Sequence, residues 1–288
     1  NYANVLLTLG EREQGTAKLE AANTAICAAL EELSRERNPI QWARGKISLG
    51  TALRVLGVRS SDITRLESSI AAFKAALKVL TRERMPIEWA RAQVNLGNDL
   101  GTLAERKRDT SLLNAAISAF KAALAEFTRE HMPLEWARVQ SNLGNALTVL
   151  SQLEGTTGPL EASISTYHFA LEEITRERLP LEWGRLQFNL GNALRVVGNR
   201  ESGTESLRLA AARLNAATSE LTCERAPLEW AMVQACLAIT LTEIADRSGL
   251  TRSPALEAID RAIDVFRTIE ATHHLIAAED IRRSILGG

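Results

Sequence analysis

Apolar residues recur along the chain at helical spacings, in two kinds of segment that alternate. Leu113, Ala116, Ile117, Phe120, Ala123, Leu124 and Phe127 follow steps of three and four, which predicts a helix with a wide apolar face built partly from alanine. Alanine at 116 and 123 allows a neighbouring helix to come close. The segment before it carries Trp89, Ala90, Leu96, Leu100 and Leu103 and opens at Pro86. Proline suits a first helical position because its missing N–H would be unpaired there anyway. Glu88, two residues on, opposes the positive end of the helix dipole. Such first helices are expected to end near Gly57, Leu103 to Ala104, Leu150 and Gly198. Polar stretches at 59–62, 105–111, 155–158 and 199–203 are expected as loops, and Pro159 and Pro254 stand where a second helix would start.

These segments repeat. Pro39, Pro86, Pro133, Pro180 and Pro227 are each 47 residues apart, and Trp42, Trp89, Trp136, Trp183 and Trp230 keep the same spacing. Units therefore start near residues 34, 81, 128, 175 and 222, each opening on a Thr-Arg-Glu-Arg-like run. A partial repeat covers 1–33, where Leu6, Leu9 and Gly10 align with Leu53, Leu56 and Gly57, and a degenerate helix covers 270–286. The unit at 34 is looser, and the one at 222 has Cys236, Ala238 and Ile239 where the others have Asn, Gly and Asn. One hairpin cannot bury both of its faces, so consecutive hairpins must stack. The expected fold is all-α, a right-handed superhelical solenoid of antiparallel helix hairpins forming one domain over 1–288. The chain has no initial Met and starts inside a unit, so it is expected to be a fragment of a larger protein or a processed product.

The run Leu-Gly-Asn-Ala-Leu followed by Ala-Ile-x-x-Phe-x-x-Ala-Leu resembles the tetratricopeptide repeat (TPR) family. The match is carried by Leu96, Gly97, Asn98, Leu100, Ala116, Ile117, Phe120, Ala123 and Leu124, and one unit later by Leu143, Gly144, Asn145, Leu147, Ile164, Tyr167, Ala170 and Leu171. The usual repeat of that family is about 34 residues, so about seven additional residues are expected in the loop within the hairpin. About six more are expected to lengthen the second helix and the corner after it. The family's Trp-x-x-Leu-Gly spacing is also absent: Gln93, Gln140 and Gln187 occupy the Trp slot, with Trp one turn earlier. The tryptophans are expected to pack at the inter-repeat corners.

The resemblance implies that the first helices line a concave surface where a ligand lies. On them Arg91, Asn95 and Asn98 are spaced i, i+4, i+7 and share a face, as do Arg138, Asn142 and Asn145, and Arg185, Asn189 and Asn192. The first unit keeps Arg44, with Ser48 and Thr51 in the other slots. Stacking turns these into an arginine row and two asparagine rows. An amide both donates and accepts, so it grips an extended backbone without reading sequence. Arginine adds charge-assisted contacts to carboxylates. The same residues could instead bond neighbouring repeats, with the arginines paired to glutamates. The Thr-Arg-Glu-Arg runs are expected as a solvated charge ladder.

Charge supports a protein partner: 34 basic residues against 35 acidic ones argue against nucleic acid or a membrane surface. Cys27, Cys223 and Cys236 have no metal-ligand or disulfide spacing, which fits a reducing, cytoplasmic setting. His131, His168, His273 and His274 fall in no catalytic motif, and no enzyme, metal or cofactor is expected. The leading expectation is thus a protein-protein interaction scaffold holding an extended, acidic peptide or protein segment. The alternative is a sensing or regulatory module of a larger signalling or effector protein, acting on an intramolecular effector domain or through a homo-oligomer.

Overall fold

A computed structural model describes residues 2–12 and 15–287, with the side chain of residue 12 left out; the parts of the partial repeat at 1, 13 and 14, and residue 288, lie outside the described residues. Thirteen α-helices and no strand occur among the described residues. The chain forms two compact units, Asn1–Glu154 and Gly155–Gly288. In the first, α1 (Tyr2–Arg12) pairs with α2 (Ala17–Glu32), α3 (Pro39–Arg59) with α4 (Ile63–Leu77), and α5 (Pro86–Lys107) with α6 (Thr110–Leu124), and α7 (Pro133–Glu154) follows. Each hairpin packs its second helix on the next first helix. In the second unit α8 (Gly158–Glu173), α9 (Pro180–Arg200), α10 (Glu205–Thr218), α11 (Pro227–Ser248), α12 (Ser253–Thr268) and α13 (Thr272–Gly287) pack in the same sequential way. Within each unit this is the hairpin-on-hairpin packing of a TPR-like solenoid.

Every repeat proline starts its helix. The far ends differ from expectation. The first helices α3, α5, α7, α9 and α11 run 21–22 residues, beyond Gly57, Ala104, Leu150 and Gly198. The expected loop at 105–111 shrinks to Arg108 and Asp109. Arg108 takes a left-handed φ of 53°, and the Asp109 carboxylate accepts from the backbone of Ser111 and Leu112 to start α6. Glu105, Arg106 and Lys107 are polar yet good helix formers, and the two cations sit at the negative helix end. Second helices are 14–16 residues, so they take none of the additional length. That length goes into the first helix and the corner at 78–85, where Met85 N–H donates to Thr81 O at 3.0 Å.

Two rungs of small residues let the hairpins close. A Cβ on Gly97 would lie 2.6 Å from the Phe120 ring, and one on Gly50 would lie 2.8 Å from Phe73. Nearer the loop, Gly10, Gly57 and Gly198 lie against Leu19, Leu66 and Leu207, all three leucines fully buried. The α6 face is buried as its spacing predicts, from Leu113 through Phe127, with Leu124 half-buried. All five tryptophans are half-buried. Helix α11 is long and apolar enough to cross a membrane by length and composition alone. Here its Ala231, Val233, Leu237 and Ala238 are buried against neighbouring helices of its unit.

Candidate functional site

The arginine row divides. Arg44 on α3 reaches Glu88 on α5 at 3.3 Å, and Arg185 on α9 grips Glu229 on α11 with Nε at 2.7 Å and Nη2 at 3.2 Å. Both pairs span 44 residues and tie one first helix to the next, which is the inter-repeat role. Arg138 on α7 is exposed and also engaged. Arg91 on α5 is exposed and makes no ion pair with another described residue.

The asparagine rows divide too. Asn192 accepts from Arg195 Nη2 at 3.0 Å and faces Cys236 Sγ at 4.0 Å, and Asn145 is engaged. Asn95 and Asn98 on α5, Asn142 on α7 and Asn189 on α9 are half-buried, and their side chains hydrogen-bond no other described residue. The open amides therefore concentrate on α5 and α7, in the first unit.

Two cavities lie on that face. One of about 240 Å³ is lined by Arg91, Val94, Asn95, Phe127, Glu135, Arg138 and Val139. The other, of about 280 Å³, is lined by Arg54, Asn98, Thr102, Glu105, Asn142 and Asn145 over Leu113 and Phe120. Gly101 lines the second. A Cβ there would meet nothing within 4 Å, whereas one repeat earlier or later the slot holds Arg54 or Thr148.

Behind Arg54, which lines this cavity, stands Asp99, fully buried where the other full repeats carry Ala52, Ala146, Ala193 and Thr240. Ser69 Oγ contacts Asp99 Oδ2 and lies 2.6 Å from the Gly50 carbonyl oxygen. Arg54 Nε stands 3.7 Å from Asp99 Oδ1, and both atoms are buried without a hydrogen bond. Burial pushes the Asp99 carboxyl up to about 7, against the lowering pull of Ser69 and Arg54. Glu105 at the cavity's rim is also raised by the protein packed around its carboxyl, although the residue keeps an exposed side.

Sequence reading missed two sets of residues that build this framework. Arg59, Arg106 and Arg247 each reach back to the preceding first helix and cap its carbonyls. Arg59 Nη1 donates to Gly10 O at 2.9 Å, Arg106 Nη1 to Gly57 O at 3.2 Å, and Arg247 Nη1 to Gly198 O at 2.7 Å. Their 47-residue register, which continues through Arg200 with Leu153 as the exception, was the available signal. The Thr-Arg-Glu-Arg runs also do more than face solvent. Arg82 pairs with Glu126 and Arg176 with Glu220, again 44 residues on, while Arg129 and Arg176 lie 5.6 Å over Trp136 and Trp183. Arg176 holds Glu220 below the usual carboxylate range by hydrogen bonding to its charged form.

Outside this face, the described residues contain no group of three or more His, Cys, Asp or Glu placed to hold a metal ion. His274 stacks on Phe266 at 5.4 Å, and burial lowers its pKa.

Long first helices, short second helices, glycine rungs and a polar first-helix face define a TPR-like helical repeat protein. No protein-family model matches the chain, and neither does any curated protein. Among solved structures, a circular tandem repeat protein with a novel repeat topology is similar at 19% identity and TM-score 0.36, covering 99% of this chain and 75% of that one. The TPR2AB-domain:pHSP90 complex of yeast Sti1 is similar at 14% identity and TM-score 0.33, covering 98% of each chain. Neither likeness is close enough to support an inference about what this chain binds.

Proposed function

We propose that the chain is a protein-protein interaction scaffold that holds an extended peptide segment along the α5–α7 face. The observation that carries this reading is the set of open amides at Asn95, Asn98 and Asn142 beside two cavities. A half-buried amide with no protein partner is costly unless water or a ligand satisfies it. Three amides on two adjoining helices can bond the backbone of an extended chain and leave its side chains free to enter the cavities. Arg91 and Arg54 favour acidic side chains there.

Arg44 and Arg185, first grouped with the binding residues, belong on this reading to the inter-repeat framework. Asn189 and Asn192 lie in the second unit and form no part of the proposed contact surface. The test is an array of extended peptides, with the affinity of a captured peptide measured by calorimetry. Asn95→Ala with Asn142→Ala should weaken it about tenfold, the loss of roughly one or two ligand hydrogen bonds, with unchanged helical content. Arg185→Ala should leave affinity alone. Unchanged affinity in the asparagine double variant would sink the proposal.

A further inference from the structure

The cavity beside Gly101 differs from the rest of the face in that Arg54, one of its lining residues, also stands against a buried carboxyl, Asp99. Two departures from the repeat coincide there: Asp99 stands in an alanine slot, and Gly101 in a slot that holds Arg54 one repeat earlier. The glycine leaves open space at the cavity, and Arg54 joins that cavity to the aspartate.

The hydrogen bonds at Ser69 are compatible with a neutral aspartate. Its hydroxyl has one hydrogen and two close oxygens, the Gly50 carbonyl at 2.6 Å and Asp99 Oδ2. A carbonyl oxygen and an ionised carboxylate both only accept, so one hydroxyl hydrogen serves both contacts fully only when Asp99 carries a proton of its own. A neutral Asp99 also accounts for Arg54 Nε standing 3.7 Å from Oδ1 without a hydrogen bond, where an ionised pair would close to a shorter contact.

We propose that Asp99, through Arg54, is a proton-operated switch for a carboxylate-binding cavity: with its proton on, Arg54, Asn98 and Asn142 take an acidic side chain of the bound segment, and with its proton off, Arg54 turns to Asp99 and the cavity no longer favours an acid. The proposal rests on the peptide-binding reading of this face and adds its regulation. The value of about 7 for Asp99 places the change near neutral pH. The other groups facing the site do not oppose it. Arg54 comes from α3 and the uncharged Ser69 from α4. Glu105, beside Arg106, comes from α5, Leu113 and Phe120 from α6, and Asn142 and Asn145 from α7.

The experiment uses the whole chain, with a capped octapeptide alternating glutamate and alanine as the probe and its glutamine counterpart as control. Asp99 is followed through the ¹³C shift of its side-chain carboxyl. The expected result is a carboxyl midpoint near neutral pH and glutamate-peptide binding about tenfold tighter at about pH 6 than at about pH 8.5. The pH effect should vanish in Asp99→Asn, which keeps the site in its neutral form. Gly101→Thr, which gives the slot the residue found at 148, should abolish the preference for glutamate over glutamine while leaving the carboxyl titration near neutral. A midpoint in the ordinary acid range overturns the proposal, as does pH-independent glutamate binding or the same pH dependence in Asp99→Asn; in each case the peptide-binding reading survives. Failure of both peptides to bind at any pH overturns the switch and the peptide-binding reading together.

Discussion

Replacing Asp99 by alanine is expected to stabilise the protein at neutral and alkaline pH and to flatten the dependence of its stability on pH. The carboxyl is fully buried and raised from 3.8 to about 7. A shift of roughly three units corresponds to about 4 kcal/mol between the two protonation states. Between about pH 4 and pH 7 the native state keeps a proton that the unfolded chain has released, so native stability falls as pH rises through that window and levels off above it. Below the window both states are protonated and the cost disappears.

Alanine removes the titration and matches Ala52, Ala146 and Ala193 in the same slot. The losses that offset the gain are small. Ser69 retains its bond to the Gly50 carbonyl, and Arg54, with 31% of its side chain exposed, can hydrate once its neighbour is gone. The variant should therefore match or fall slightly below the parent near pH 4 and exceed it by about 2–4 kcal/mol near pH 8. Urea denaturation followed by circular dichroism at both pH values measures this, with the denaturant slopes compared to check that the same structure is unfolding. Parallel stability curves for parent and variant would refute it, because Asp99 would then have the same pKa in both states. The proton count at Ser69 would fall with it.

Other positions test the packing directly. Gly97→Ala should cost about 1–3 kcal/mol, since its Cβ would be forced to within 2.6 Å of the buried Phe120 ring. Gly101→Ala, four residues along the same helix and opening on empty space, should instead stabilise by about 0.5–1 kcal/mol. If both changes move the melting temperature the same way, the account of the two glycines is wrong. Arg247→Leu, which installs the residue that slot carries at Leu153, should cost about 1–2 kcal/mol by removing a cation that caps the Gly198, Glu201 and Gly203 carbonyls. Hydrogen exchange should quicken at the end of α9, and unchanged exchange there would show the contacts to be idle.

The sequence by itself determined the repeat, because a 47-residue period in proline, tryptophan and leucine leaves no other way to bury the apolar faces. It placed the start of each first helix at the proline and identified the buried face of α6, since both follow from local rules acting within one helix. It misjudged where the first helices end. Glu105, Arg106 and Lys107 read as a loop by polarity, whereas Asp109 caps the next helix so tightly that only two residues are needed between them. The arginine and asparagine rows were legible as rows but not as open or closed. That depended on whether Glu88 and Glu229, 44 residues downstream of their arginines, came within reach. Asp99, Ser69 and Arg54 are separated by 30 and 45 residues and belong to three different helices. Only the stacking of those helices buries the carboxyl, brings the hydroxyl and guanidinium to it, and sets the same guanidinium at the cavity that Gly101 lines.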